Sequence, residues 1–553
     1  MGSHSKHISD IDFNCLNRKS NLDHASKKLY DLIVIGGGIT GAGIAMDATL
    51  RGLKTLLIEK NDFASGTSSK STKLIHGGLR YLKQFEFGLV RESGLERRVA
   101  HNNIPHLVHP EKMLLPIVKG GSFSRLTAAM AIGVYDVLAN VESEDRKQTM
   151  NRAEVKAHEP LLKESTLKSG ILYSEYRTDD ARLTIELIKH AKRHGAEVFN
   201  YCELTEFNYK DGLIRGINAR DHFSDIDVTF SGRHVVSAAG PWVDSVRMKE
   251  DATKNKALFL TKGVHIVIPH TRLPIKSAVY FDAIDGRMVF AIPRGRVTYI
   301  GTTDTPYDGN LDKIVCTKQD ASYLLDCVNN AFNIERLTIE DIESTWAGLR
   351  PLISEAGKSP SELSRKDEVF ISDSGLISIA GGKLTGYRKM AKRVVDLLCE
   401  KEKNLECAPC LTESQAIHVN SYTDYDAFEK DVSKTVRQYE STLSEHRIKH
   451  LLSTYGLNGH LILENALAVK NSNIEEALLL SELDYCLTYE SAVFPIDFIN
   501  RRSSRLYFDV YSIHQHLDLI IDKFCNFYKW DASRKQKIHK QTIALIKDAT
   551  VIN

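Results

Sequence analysis

Three groups of residues in this sequence have the types and spacing to do chemistry. The first is Gly36, Gly38 and Gly41, in G-x-G-x-x-G spacing, with an acid at Glu59 and a base at Lys60. Such glycines permit a tight turn, a close backbone approach to a pyrophosphate, and close helix–strand packing. An acid roughly 20 residues on is placed to meet a ribose hydroxyl. The second group runs from Ser65 to Tyr81. It has Thr67, Ser68, Ser69 and Ser71, then Lys73 and the tract His76-Gly77-Gly78-Leu79-Arg80-Tyr81. A capped helix start is the plain use of such a stretch. Small hydroxyl residues before paired glycines also let a loop press against a flat ring, with Arg80 and Tyr81 beyond it facing a substrate. The third group is Gly381-Gly382-Lys383-Leu384-Thr385-Gly386-Tyr387-Arg388. A strand, a glycine turn and a helix start would place N–H donors at an anion, and Lys383 adds a full charge.

The elements that must hold these groups follow from hydrophobic pattern. The aliphatic run Leu32 to Ile35 predicts a buried strand, Ile39 to Leu50 a helix, and Lys54 to Ile58 a second strand. This is a β-α-β unit for a dinucleotide, and its spacing does not choose between NAD and FAD. Further along, the pattern predicts helices over Leu89 to His101 and Leu183 to His194, the latter capped by Asp179 or Asp180. A strand over Ala196 to Tyr201 and a meander over Thr205 to Phe230 come next. The strand His234 to Ala238 then ends at Ala239-Gly240-Pro241-Trp242. In Thr261 to Pro269 a histidine, His265, lies inside an apolar strand, where by default it is a satisfied core residue. Val289 to Pro293 and Thr298 to Asp304 continue an antiparallel sheet, and Leu376 to Ala380 is a last apolar strand.

Composition bounds the rest. With 553 residues, two or three domains are expected. A net charge of +2 gives no basic face for nucleic acid. Nine scattered cysteines fit reduced thiols in a cytosolic protein. Cys407 and Cys410 have C-x-x-C spacing, but no second pair lies at ligand spacing, so no metal site is expected. No run of about 18 apolar residues predicts a membrane span. The first 28 residues lack the apolar core of a secretion signal and read as a mobile arm. Gly120 to Asn140 carries apolar residues at helical spacing and reads as an amphipathic helix packed on the core. Residues 401–415 form a polar linker. Beyond it, helices are predicted over Leu461 to Lys470, Glu475 to Glu482, Pro495 to Phe508 and Val510 to Lys529. Arg501, Arg502 and Arg505 read as solvated or interdomain.

Several tracts together carry a resemblance: GGGITGAGIAMDATLRG, TSSKSTKLIHGGLRYLKQFEFGLVRES, the A-G-P-W turn, K-G-V-H-I-V-I-P, G-L-R-P-L and GGKLTGYR. They resemble the FAD-dependent glycerol-3-phosphate dehydrogenases from about Tyr30 to the C-terminal region. The resemblance implies an α/β fold with a Rossmann-like FAD-binding domain (29–110, 165–260 and 340–395). It also implies an antiparallel-sheet substrate domain (111–164 and 261–339) and a C-terminal helical domain (396–553). The implied reaction is oxidation of sn-glycerol 3-phosphate to dihydroxyacetone phosphate. A hydride passes from C2 to flavin N5, and the electrons go on to a membrane quinone. FAD would be held by Gly36, Gly38, Gly41, Glu59, Lys60, Thr67, Ser68, Ser69, Ser71, Lys73, His76, Gly77, Gly78, Leu79, Gly240, Trp242, Gly382, Lys383, Leu384 and Thr385.

By the same resemblance Arg80, Tyr81, His265, Arg350, Arg365 and Lys383 bind substrate, with His265 and Arg350 catalytic. A phosphate dianion suits such cations, arginine gripping bidentately and lysine as a point charge. The family also implies peripheral attachment to the inner face of the cell membrane, with the Gly120 to Asn140 helix as one contact. Two enzyme alternatives stand beside this reading. One is a glycerol-3-phosphate oxidase using oxygen, although the extra insertion common in those oxidases is not evident. The other is a flavin enzyme of the same superfamily acting on glycine, sarcosine or 2-hydroxyglutarate. A non-catalytic or RNA-directed FAD-binding protein is the alternative from another class. The sequence leaves the oligomeric state open, a homodimer included.

Overall fold

The computed structural model describes residues 12–76, 87–124, 132–133, 147–250, 258–353, 367–402, 406–417, 421–469 and 473–552. Two sheets organise the chain. The first runs, in spatial order, Asp367–Ile371 (β17), Ile377–Gly381 (β18), Ile226–Ser237 (β10), Leu29–Ile35 (β1), Thr55–Ile58 (β2) and Glu197–Phe199 (β7). From β18 to β7 all neighbours are parallel. Cys202–Lys210 (β8) and Leu213–Asp221 (β9) extend this sheet from the first half of β10 as the expected meander. Parallel strands need both faces covered. Here Ile39–Leu50 (α2) packs against Asp180–Arg193 and Tyr387–Lys401, and their apolar faces close one core with β1 and β2.

The second sheet runs Thr305–Pro306 (β15), Leu258–Pro269 (β11), Val297–Gly301 (β14), Met288–Arg294 (β13), Ala278–Asp282 (β12), His109–Val118 (β4), Leu167–Arg177 (β6) and Leu74–Ile75 (β3). Ser344–Ile353 (β16) joins β11, and Gln148–Asn151 (β5) joins β6. This corrects the sequence division at three places. β3, β6 and β16 fall in stretches expected in the flavin-binding unit but pair into the second sheet. Apolar strands look alike in sequence, and only their hydrogen-bonded neighbours assign them.

Residues 12–28 are also not the mobile arm expected. Helix α1 (Arg18–Ser26) is built in, with Phe13, Leu22 and Ala25 buried. The Arg18 guanidinium donates to the Asp221 carboxylate (Nε–Oδ1 2.9 Å) and to the Asn200 carbonyl. A polar helix with little apolar face is thus tied down by a buried ion pair beside its few buried apolar side chains.

The C-terminal helices, from Tyr425–Tyr439 to Ala532–Thr550, form their own core, which merges with one face of the second sheet. The expected helix over Pro495 to Phe508 is broken. Asp497–Arg502 is a wide turn of π geometry, Ser504 takes a left-handed backbone (φ 55°), and Arg505–Phe508 starts afresh. Arg501 and Arg502 are interdomain, as one of their two readings had it, whereas Arg505 pairs with Glu482 within the C-terminal helices; all three are buried instead of solvated. Asp62 accepts from Arg501 (Nε 2.5 Å) and Arg502 (Nη2 2.9 Å), and Glu490 accepts from Arg182 (2.6 and 2.7 Å). Asp179 caps its helix by accepting from the Arg182 amide (3.3 Å), and it also meets Arg294 (3.0 Å) and Ser504 (2.8 Å).

The linker is strapped down too. Ala408 N donates to the Arg51 carbonyl, and Asn103 Nδ2 donates to the Thr412 carbonyl (3.1 Å). Cys407 pairs not within its C-x-x-C but with Cys399 in a disulfide. The expectation of reduced thiols throughout is corrected to that extent. The helix over Gly120 to Asn140 lies mostly outside the described residues. No described helix is long and apolar enough to cross a membrane.

Candidate active site

A cavity of about 800 Å³ runs from the β1–α2 turn to the face of the second sheet that carries His265 and Arg350. This is within the range of cofactor sites. At its first end, β1 delivers the chain to Gly36 at φ +113°, where an added Cβ would lie 2.6 Å from the Ala238 carbonyl oxygen. Gly38 stands at the head of α2 without a side chain to cap it. Ser68 Oγ reaches in from the next loop and accepts from Ile39 N (2.9 Å). Glu59 is fixed by two backbone donors, Gly37 N (2.7 Å) and Asn61 N (2.9 Å), and lines the cavity. Burial raises its pKa, and those same amides work against that rise.

Gly41 does not line the cavity. A Cβ there would sit 1.9 Å from the Gly36 carbonyl oxygen, so its role is to let α2 close onto the turn. Gly41→Ala is therefore expected to yield protein that does not retain a dinucleotide. Wild-type flavin content after purification and dialysis would overturn this.

The middle of the cavity is the Ser65–His76 loop. Thr67, Ser68, Ser71 and His76 line it, as does Thr72, which the sequence reading passed over. Two residues of the expected set are elsewhere. Ser69 turns back on the Gly66 carbonyl (3.4 Å), and Lys73 is buried in an ion pair with Asp180 (2.6 Å). Burial opposes the Lys73 charge, yet Asp179 and Asp180 hold its pKa above the ordinary value. Its work is to pin the loop to the start of Asp180–Arg193. Gly240 and Trp242 also line the cavity. Trp242 covers Gly66 and donates to Asp312 Oδ1 (3.1 Å), while Lys60 lies over its ring (4.5 Å) and pairs with the same carboxylate (2.6 Å).

At the other end, strand register builds a bare patch on the second sheet. Opposite pairs across β11 and β16 are His265 with Trp346, Gly263 with Gly348, and Thr261 with Arg350. Two glycines facing each other add no side chains of their own between a stacked histidine–tryptophan pair and an arginine, and the Arg350 guanidinium lies over one of them and Lys70 over the other. The His265 imidazole lies on Trp346 (4.6 Å, 12° between planes) and over Gly301, where a Cβ would come within 2.1 Å of Cδ2. Its Nε2 is 3.0 Å from Thr72 Oγ1. A hydroxyl can donate or accept and so fits either tautomer. Burial, then Arg350 and Lys73, keep the His265 pKa well below its ordinary value.

Arg350 lies across Gly263 and is set by Asp304 Oδ1 (3.1 Å), Thr302 Oγ1 (2.9 Å) and the Thr303 carbonyl (3.2 Å). Gly381 and Gly382, both at positive φ, turn β18 into the helix Tyr387–Lys401. They bring Gly382, Lys383, Leu384 and Thr385 to the cavity wall. Of the expected residues, His265, Arg350 and Lys383 thus meet one cavity together with the glycine motif. Gly77, Gly78, Leu79, Arg80, Tyr81 and Arg365 lie outside the described residues. Trp346 and Thr302 lie in family-matching tracts but were not expected as site residues; Trp346 enters by its register with His265, and Thr302 by its bond to Arg350.

Comparison with known proteins agrees with this geometry. Residues 31–388 match the model of the FAD-dependent oxidoreductase family DAO, and residues 411–535 match the C-terminal domain of alpha-glycerophosphate oxidase. The chain is 44% identical over 548 residues to the aerobic glycerol-3-phosphate dehydrogenase of Bacillus subtilis, covering 98% of each chain. It superposes on the X-ray structure of the Bacillus halodurans glycerol-3-phosphate dehydrogenase complexed with FAD. The TM-score is 0.82 and the identity 39%, over 97% of this chain and 98% of that one. The L-alpha-glycerophosphate oxidase of Mycoplasma pneumoniae shares the fold (TM-score 0.55, 17% identity, 72% of this chain and 98% of that one). The glycine cradle and the Ser/Thr-lined loop, joined in one cavity, fit an extended FAD, the cofactor of this family. The chain belongs to the FAD-dependent oxidoreductases, in the family of the aerobic glycerol-3-phosphate dehydrogenases.

Proposed function

We propose that this protein oxidises sn-glycerol 3-phosphate to dihydroxyacetone phosphate and passes the electrons to a quinone at the membrane surface. The observation that carries this reading is the convergence of His265, Arg350 and Lys383 on the cavity that also holds the dinucleotide-binding glycines. Its near full-length relatives are named for the same substrate. Bound FAD supplies the hydride acceptor, flavin N5.

The chain's own residues do the remainder. Glu59 keeps lone pairs beyond its two amide bonds for a ribose hydroxyl. Arg350 and Lys383, with Arg80 and Arg365 by family resemblance, bind the phosphate dianion and so fix the C2 carbon. Positioning of this kind is worth up to about 7–11 kcal/mol. His265 accepts the C2 hydroxyl proton, with Thr72 holding the imidazole in place and Tyr81 beside the substrate by the same resemblance. The alcohol then loses one proton to the protein and one hydride to the cofactor, which balances its oxidation to the ketone.

The test is anaerobic. Glycerol 3-phosphate should bleach the yellow protein. A protein that keeps its FAD and does not bleach would sink the reading, and bleaching by glycine, sarcosine or 2-hydroxyglutarate instead would favour the other enzymes of the superfamily. Mixing the reduced protein with a soluble quinone or with oxygen then separates dehydrogenase from oxidase. Faster reoxidation by quinone is expected.

A further inference from the structure

Lys70 is a charged residue of the cavity to which the TSSKSTKL tract containing it assigned no role. It directly follows the turn Thr67–Ser69, whose Ser68 caps α2. It packs on the bare patch: a Cβ on Gly348 would lie 2.7 Å from Lys70 Cβ. Its side chain lines the cavity. Lys73, three residues on, is locked to Asp180, and Asp62 is taken by Arg501 and Arg502. Among the described residues no ion pair or side-chain hydrogen bond involves Lys70 Nζ. The charged group acting on it is another cation, Arg501, and burial followed by that repulsion pushes its pKa down to about 8. A charge so placed needs an anion. Both carboxylates around the loop are already engaged.

We propose that Lys70 is the counter-cation of the cofactor, its ammonium pairing with an anionic group of the FAD in this cavity. Two parts of FAD have that chemistry: the pyrophosphate, and the N1–C2=O edge of the ring, which gains negative charge on reduction. Removing a hydrogen bond to a charged group lowers affinity about 10- to 100-fold. Lys70→Met should show this as weaker FAD binding to the apoprotein, as a lower flavin midpoint potential, or as both, and Lys70→Arg should restore most of it. If the partner is the pyrophosphate, ADP binding to the apoprotein weakens in parallel and the potential is unchanged. If it is the ring edge, the potential falls and ADP binding stays as in wild type.

Pairing raises a depressed lysine pKa, so wild-type FAD binding takes up a proton and weakens as pH rises through about 8. That arm needs no variant. Lys70→Met with wild-type FAD affinity and potential would overturn the proposal, as would proton-neutral FAD binding by the wild type at that pH. Wild-type protein purified without flavin would strike at the cofactor itself rather than at Lys70.

Discussion

His265→Ala is expected to slow anaerobic flavin reduction by glycerol 3-phosphate about 10²–10⁴-fold, the usual contribution of a positioned general base. The substrate dissociation constant should change far less, because the proposed site gives the phosphate to other residues. Stopped-flow bleaching across a substrate series reads both quantities. A reductive half-reaction at the wild-type rate would remove His265 from the mechanism. His265→Asn controls for lost packing against Trp346, since it keeps a polar side chain over Gly301. The pH profile carries a second expectation. Burial, then Arg350 and Lys73, favour the neutral imidazole. A neutral imidazole is the form that accepts a proton. The base therefore stays competent below the ordinary histidine pKa of about 6.5, and the reduction rate should not fall off there.

The second large effect lies far from the substrate. Asp62→Ala should lower stability by about 3–5 kcal/mol, because it leaves Arg501 and Arg502 buried without their main carboxylate. Asp497 (2.7 Å from Arg501) and the Glu490 carbonyl (2.8 Å from Arg502) compensate only in part. Chemical denaturation of the FAD-loaded protein measures the loss. FAD retention should drop too, since Asp62 sits between Glu59 and the Ser65–Thr72 loop. A companion variant with Asp62→Leu, Arg501→Met and Arg502→Met should recover most of the stability, as apolar replacement of a whole buried ion cluster is often near neutral. If the single variant unfolds like wild type, the cluster is not an interdomain clasp. Burial raises the Asp62 pKa, but Arg502 and Arg501 outweigh it, so the carboxyl titrates below its ordinary range. A carboxylate depressed in the folded state contributes stability above the unfolded pKa of about 3.9. That contribution is lost only as pH falls through the still lower folded value. Mild acid should therefore leave the clasp intact.

Much of this protein is written locally. The G-x-G-x-x-G turn, helix α2 and the strand ending at Glu59 lie within about 30 consecutive residues. Turn geometry and hydrophobic period act over that range, and the helix runs over Ile39–Leu50, as read from the sequence. The β8–β10 meander, the Asp179 cap and the Gly381–Gly382 turn are local in the same sense. The family resemblance rests on such tracts, and FAD as cofactor follows from it.

What the sequence could not determine depends on partners distant in the chain. Lys73 and Lys70 sit three residues apart in one polar loop. Only the fold shows that Asp180 buries the first and leaves the second on the cavity. Arg501, Arg502 and Arg18 have the composition of a solvated surface, and Asp62 and Asp221, hundreds of residues away, make them interior. His265 in an apolar strand has two readings until register sets it against Trp346, over Gly301 and beside Thr72. The amino-acid order fixes short-range geometry and so names the cofactor. Charge pairing and strand register act across the whole chain, and they alone decide which side chains reach it.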